Sequence, residues 1–138
     1  MDQLFHHFFN FALLDGYWGE IFQGLLVTVA MSVTCIAIGI PVGLGLAAIR
    51  LYGIGPLNFV IVVLVDILRS IPPLMLIVLV YFALPYLGVR VSSFWTTVLC
   101  VAVVLAAFAE EIAWAAITTV PAGQWEAGRS TGLTLTRT

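Results

Sequence analysis

The stretch from Ile21 to Ile49, IFQGLLVTVAMSVTCIAIGIPVGLGLAAI, contains no charged residue and lies between Glu20 and Arg50. About 20 consecutive apolar residues are enough for an α-helix to cross the hydrocarbon core of a bilayer. The stretch exceeds that length, so it predicts a membrane-spanning helix that is tilted or begins at the interface. A cleaved signal peptide would have a basic start and a shorter apolar core, so we expect this segment to remain in the membrane.

Small residues recur within this predicted helix at positions that share one face. Gly39, Gly43 and Ala47 are four residues apart, and Pro41 lies between the first two. Small residues on one face let a second helix approach closely in a membrane. The pattern therefore predicts a helix-packing stripe, with a kink at Pro41.

The composition of the whole chain is that of a membrane protein. Of its 138 residues, 62% are hydrophobic and 9% are charged, and the net charge is −2 with no lysine. The five arginines are scattered, which argues against a nucleic-acid partner. Cys35 and Cys100 stand alone in apolar runs, so no metal site or cofactor is predicted.

Two more spans are predicted, over residues 57–87 and 91–114. The second is interrupted by Pro72 and Pro73, which remove backbone donors and break a helix. Residues 115–138 are polar and rich in small residues, so they predict a loop or a short surface helix. The fold class is therefore an all-α integral membrane protein with about three transmembrane helices.

The distribution of arginine predicts the orientation in the membrane. Arg50 in the first loop and Arg129 and Arg137 in the tail lie on one side, whereas Arg90 is alone on the other. Cytoplasmic loops carry an excess of basic residues. This predicts an outside N-terminus and a cytoplasmic tail, with Arg90 outside.

Charged residues close to the membrane are predicted to pair. In a straight second span, Arg69 would lie about 27 Å from the outer surface, level with Glu110 and Glu111 on the third. An ion pair with either glutamate is therefore predicted near the cytoplasmic boundary. Two alternatives are an ion pair with Asp66 on the same helix and a solvated arginine that reaches the headgroups.

The tail contains a candidate docking helix. Residues 124–131 can form about two helical turns, Pro121 suits the first helical position, and Gly132 suits the left-handed residue that closes a helix. Glu126 and Arg129 can pair at a spacing of three. The alternative is a solvated linker that happens to be helical.

This tail resembles the cytoplasmic coupling loop of ABC importer permeases, in which Glu-Ala-Ala is followed by three residues and Gly. The chain has Glu126-Ala127-Gly128 and then Gly132, and the preceding residues 117–124, ITTVPAGQ, are similar to the polar amino acid branch. Two further motifs resemble the same branch, in matching order. They are residues 69–74, RSIPPL, in the second helix, and Thr28-Val29 with Gly39, Gly43 and Gly45 in the first.

The resemblance implies a non-catalytic permease subunit in the cytoplasmic (inner) membrane of a prokaryote. Its partners would be a cytoplasmic ATPase, a second identical or different permease subunit, and an extracytoplasmic solute-binding protein. The residues it implies for ATPase coupling are Gln124, Glu126, Ala127, Gly128 and Gly132, and those for a cytoplasmic gate are Arg69, Glu110 and Glu111. Residues 1–138 would form one transmembrane permease domain, incomplete at its C-terminus, with the coupling loop in 115–138.

The chain departs from the family pattern at several positions. Gly128 replaces the usual second alanine, Ser70 and Ile71 replace Gly-Thr, and Ala113-Trp114-Ala115-Ala116 replaces the usual Arg and two glycines. These departures bear on the substrate class.

Other functions fit the sequence less well. A fragment of an ion-gradient-driven carrier would use broken helices and midplane charges, but these charges lie near one face and no inverted repeat is visible. A membrane enzyme would need a nucleophile with a base or a set of metal ligands, and neither pattern occurs. A structural subunit without independent transport is the remaining alternative.

Overall fold

The computed structural model describes residues 16–134, which form five α-helices and one 3-10 turn. Segments 1–15 and 135–138, which include the predicted basic residue Arg137, lie outside the described residues. The helices are α1 Trp18–Arg50, α2 Gly55–Ser70, α3 Pro73–Ala83, α4 Ser93–Thr118 and α5 Ala122–Ser130, and the 3-10 turn Leu84–Leu87 follows α3.

Two of these helices, α1 and α4, are long and apolar enough to cross a membrane. A third crossing is counted if α2 and the α3 segment, Gly55–Ser70 and Pro73–Leu87, form a single bent span. The described chain is helical throughout, with two or three candidate spans, so the predicted fold class is confirmed. Most large apolar side chains are exposed. Lipid or further helices must cover them.

The close packing of α1 against α4 is the centre of the fold. The buried residues of α1 are Cys35, Gly39, Gly43 and Ala47, which form one stripe along the helix. A Cβ atom on Gly39 would lie 2.8 Å from the carbonyl oxygen of Ala102 on α4. The two backbones are therefore nearly in contact, which only small residues permit. Helix α1 continues through Pro41.

The second predicted span is sharply bent. The axes of α2 and the α3 segment differ by 98°. Ile71 and Pro72 both leave the helical region, with ψ values of 125° and 131°. Each precedes a proline, whose Cδ atom disfavours the helical conformation of the residue before it. Pro73 then begins α3 at a position where its missing N–H costs nothing.

This bend changes the physical reason for the position of Arg69 beside the third span. The prediction measured its depth along a straight helix from Leu87, and a helix that turns through 98° has no such continuous axis. The proximity of Arg69 to the third span arises instead from direct packing of α2 on α4. Ile61 and Val65 of α2 form a buried cluster with Ala107 of α4.

The helix of the third predicted span extends beyond the predicted end of that span. Residues 115–118 were assigned to the tail because the composition becomes less apolar after Trp114, but α4 continues to Thr118. Ala115 and Ala116 are strong helix formers, so a change in polarity alone does not end the helix. The helix ends shortly before Pro121, which disfavours helical geometry in the preceding residue.

Candidate functional site

Two features of the described chain are candidates for function: a cluster of paired charges where α1, α2 and α4 meet, and the terminal helix α5. The charge cluster contains Glu110 and Glu111, which are adjacent on α4. Successive residues of an α-helix project about 100° apart. The two carboxylates therefore point to different neighbours, and each meets a different arginine.

Glu110 forms a buried ion pair with Arg50. The Nη1 atom of Arg50 lies 2.6 Å from Oε1 of Glu110, and the Glu110 side chain is 0% exposed. Arg50 occupies the last turn of α1, where a cation also interacts favourably with the helix dipole. Burial of an unpaired charge is costly, so this contact ties the last turn of α1 to α4, in which Glu110 lies eight residues before the last residue, Thr118.

Two further contacts surround this pair. The guanidinium of Arg50 lies over the Trp114 ring, 4.1 Å from its centroid. Nδ2 of Asn58 on α2 donates a hydrogen bond to the Arg50 carbonyl oxygen at 3.1 Å. Residue 50 is therefore held by α2 and α4 together.

The Arg50–Glu110 pair leaves some of its buried polar atoms without hydrogen-bond partners. Within the described residues, Oε2 of Glu110 and Nε of Arg50 are buried without a hydrogen-bond partner, and so is Oδ1 of Asn58. Buried polar groups without partners cost free energy. These unpaired atoms therefore subtract from the stability that the ion pair contributes.

The second ion pair is more exposed. Nη1 of Arg69 lies 3.3 Å from Oε2 of Glu111, with side chains 33% and 42% exposed. The Arg69 guanidinium also lies 5.3 Å from the centroid of the Phe108 ring. Exposed pairs are weak because water competes for both partners, so this contact can open at little cost.

Arg69 therefore lies beside Glu111, and neither the Asp66 pair nor the solvated alternative describes its position. Glu110, the other predicted partner, pairs instead with Arg50, a residue that the sequence predicts only to lie in the first loop. The sequence does contain a pattern that could have predicted the Arg50–Glu110 pair. Arg50 ends the uncharged run of the first span, Glu110 ends that of the third, and the predicted topology puts both on one side.

Helix α5 contains the predicted coupling residues Gln124, Glu126, Ala127 and Gly128. It has no buried residue and packs against none of the other described helices. Pro121 lies at the N-cap and not at the first helical position, and its carbonyl oxygen accepts from the Gln124 N–H at 2.9 Å. Glu126 and Arg129 form no ion pair within residues 16–134.

Gly132 closes α5 in a left-handed conformation with φ +87°. The Gly132 N–H donates to the Arg129 carbonyl at 3.0 Å, and the Leu133 N–H donates to the Gly128 carbonyl at 3.4 Å. These two bonds form a Schellman motif, which satisfies carbonyls at the end of the helix. The position tolerates glycine far better than residues with a side chain.

Among residues 16–134 there is no cluster of three or more metal-ligating side chains. The charge cluster can hold α1, α2 and α4 together, and α5 has a surface that no other described helix covers.

Comparison with known proteins gives relatives over most of the chain. The L-cystine transport system permease protein TcyB of Bacillus subtilis (strain 168) is 30% identical over 124 residues, covering 90% of this chain and 53% of that protein. The probable glutamine ABC transporter permease protein GlnM of the same organism is 30% identical over 125 residues, covering 91% and 58%. The nopaline transport system permease protein NocQ of Agrobacterium fabrum (strain C58 / ATCC 33970) is 32% identical over 133 residues, covering 86% and 56%.

The chain is a homologue of amino acid ABC transporter permeases. This confirms the resemblance inferred from the coupling-loop motif. The permease homologue spans about half the length of the curated relatives it matches. No family model and no solved structure matches it significantly. Its apolar helices and its bacterial relatives together indicate a protein of the cytoplasmic membrane.

Proposed function

We propose that the chain acts as a membrane-spanning permease subunit of an ATP-driven importer for polar amino acids. The observation that carries this proposal is the exposed helix α5 and its glycine cap, which follow α4 directly. Relatives named for L-cystine, glutamine and arginine transport support the substrate class.

In this proposal, α5 docks on a separate ATPase subunit in the cytoplasm. Glu126 supplies an exposed carboxylate, and the Gly132 cap directs the chain away from the docked helix. ATP-driven closure of the ATPase would move α5 and, through it, the end of α4. A second permease subunit and an extracytoplasmic solute-binding protein complete the assembly. The N-terminus lies outside, and ATP hydrolysis occurs on the partner chain.

The charge cluster would act as the cytoplasmic gate. The buried Arg50–Glu110 pair keeps the end of α1 on α4, and the exposed Arg69–Glu111 pair joins α2 to α4. Because the exposed pair costs little to break, α2 could move away from α4 by giving up this pair, the Asn58 hydrogen bond and the small cluster of Ile61 and Val65 on Ala107, while α1 and α4 stay joined. Opening would thus be a movement of the bent α2–α3 unit.

The test uses the chain assembled with the ATPase and solute-binding protein of its own transporter. Gly132→Val places a β-branched side chain at a positive φ, which strains the cap. Gly123→Val is the matched control, because Gly123 lies in the same helix with open space around it and no positive φ. We expect Gly132→Val to lose ATPase co-purification and Gly123→Val to retain it.

Transport itself is measured in proteoliposomes with labelled L-glutamine. Uptake that requires ATP and falls with Gly132→Val is the expected result. Equal ATPase association in both variants would reject the placement of the docking helix. Uptake that persists without ATP but stops with an ionophore would instead favour an ion-gradient-driven carrier.

A further inference from the structure

Helix α2 crosses α4 instead of running alongside it. At the start of α2, Nδ2 of Asn58 donates to the carbonyl oxygen of Arg50, whose side chain pairs with Glu110. At its end, Arg69 pairs with Glu111. Positions 58 and 69 lie about 16 Å apart along a helix axis. If α2 ran antiparallel to α4, that distance would separate the two glutamate partners by about eleven residues, but they are adjacent.

The packing contacts and the bend give the same orientation. Ile61 and Val65, one helical turn apart on α2, pack in one cluster with the single α4 residue Ala107. The α3 segment, in contrast, runs antiparallel to α4, because a short connection joins the end of one to the start of the other. Consistent with this, Sγ of Cys100 lies 4.0 Å from the carbonyl oxygen of Leu76. A helix at 98° to the α3 segment therefore lies across α4.

The level at which α2 crosses α4 is marked by charged residues. Arg50 and Glu110 each end an uncharged run of their own helix. Charged side chains are costly in the hydrocarbon core, so this level lies at a boundary of the membrane. From Glu110 back to Ser93, α4 is about 25 Å long, and the α3 segment, which has no charged residue, is also about 25 Å long. The α3 segment alone can therefore carry the chain back across most of the hydrocarbon core.

The side chains of α2 divide into an apolar and a polar side that fit this position. Leu64 and Leu68 line an apolar groove together with Ile38 and Leu99, which lie farther from the charge cluster along α1 and α4. Successive residues of a helix project about 100° apart, so Asp66, two positions from each leucine, lies on the opposite side of α2. Asp66 is exposed there. The apolar side of α2 thus faces the interior of the membrane, and the polar side faces away from it.

We propose that α2 is an interfacial helix, which lies in the plane of the membrane surface and binds phospholipid. Asp66 lies at the headgroups, and Leu64 points toward the acyl chains. Helices with one charged side and one apolar side take this position at the boundary between headgroups and acyl chains. The second crossing of the membrane then consists of the α3 segment alone. This arrangement requires neither transport nor an ATPase, so it stands or falls separately from the proposed function.

The test measures the depth of spin labels on the full chain in phosphatidylcholine nanodiscs. Val60 and Ile67 are both exposed, and their spacing of seven places them on the same side of α2. An in-plane helix gives these two labels equal depths, whereas a spanning helix puts Ile67 about 10 Å deeper than Val60. Met75 and Phe82, which are exposed at the same spacing on α3, are the matched control and should differ by about 10 Å.

Depth is read from the relaxation of each label by oxygen, which enters the bilayer, and by a water-soluble nickel chelate, which does not. Phe59 and Asp66, exposed and also seven positions apart, form a second pair on the polar side of α2. We expect equal depths within this pair, and both labels nearer to water than those at Val60 and Ile67.

Three results would overturn the proposal. A label at Ile67 that is deeper than one at Val60 by the difference found on α3 would make α2 part of a span. Contact of all four α2 labels with the nickel chelate alone would put α2 outside the lipid. Exclusion of both reagents from Val60 and Ile67 would show that another protein chain, and not phospholipid, covers α2.

Discussion

The Nη1 atom of Arg50 lies 2.6 Å from Oε1 of Glu110, although the two residues are sixty positions apart in the chain. The pair joins the end of α1 to α4 at a fully buried carboxylate. A Cβ atom on Gly43 would lie 2.9 Å from the backbone nitrogen of Glu110, so the ion pair and the closest backbone approach occur together. Charge pairing and small-residue packing thus stabilise the same contact.

Glu110→Gln is expected to destabilise the fold strongly. It leaves the guanidinium of Arg50, which is only 11% exposed, without its counter-charge. Breaking one partner of a buried pair costs about 3–5 kcal/mol. Unfolding of the chain in mixed micelles, followed by circular dichroism during a titration with sodium dodecyl sulfate, measures the change.

Glu111→Gln is the control for that substitution, because it breaks the neighbouring but exposed pair. Its expected cost is within about 1 kcal/mol. Equal losses for the two glutamines would show that burial does not distinguish the pairs, contrary to the structure.

Trp114→Leu is expected to weaken the same junction without changing any charge. Leucine keeps apolar volume but removes the ring beneath the Arg50 guanidinium. Loss of a desolvated cation–π contact costs about 2 kcal/mol. The same unfolding titration applies, with Trp125→Leu on the unpacked helix α5 as the control, which should leave the transition in place.

Gly43→Ala is expected to force α1 and α4 apart. The added Cβ would collide with the Ala106 carbonyl oxygen and lie 2.7 Å from Ala109 Cβ. Overpacking of this kind costs about 1–3 kcal/mol. Gly45→Ala on the same helix has open space and should be neutral or stabilising, since alanine favours helix. A Gly43→Ala protein as stable as the wild type would refute the close backbone contact.

Replacing Pro72 and Pro73 together by alanine is expected to straighten the bend between α2 and α3. Both substitutions are needed, because each proline excludes the residue before it from the helical region. Spin labels at Phe59 and Leu87 would be about 42 Å apart along a continuous helix, against about 28 Å across the 98° bend.

Pulsed electron paramagnetic resonance measures that distance. Both labelling positions are exposed, and the native Cys35 and Cys100 are buried and should label poorly. Either single proline substitution serves as a control that keeps part of the break. An unchanged short distance in the double variant would show that packing on α4, and not the prolines, holds the bend.

Much of the local structure could be predicted from the sequence, because its causes are local. The uncharged run before Arg50 identified α1, and residues that precede a proline leave the helical region whatever surrounds them. A glycine at the end of a polar helix favours the left-handed cap observed at Gly132. The packing stripe was visible as a spacing of four residues, which is a property of the helix itself.

The tertiary structure decided which groups meet. The sequence by itself determined that Arg69 and the two glutamates lie near one end of their helices, and that Gly39, Gly43 and Ala47 share a face. The sequence could not assign Glu110 to Arg50, because that pairing depends on the relative register and rotation of α1 and α4 when they are packed. The size of the bend likewise depends on packing against residues distant in sequence, and no local pattern contains that information.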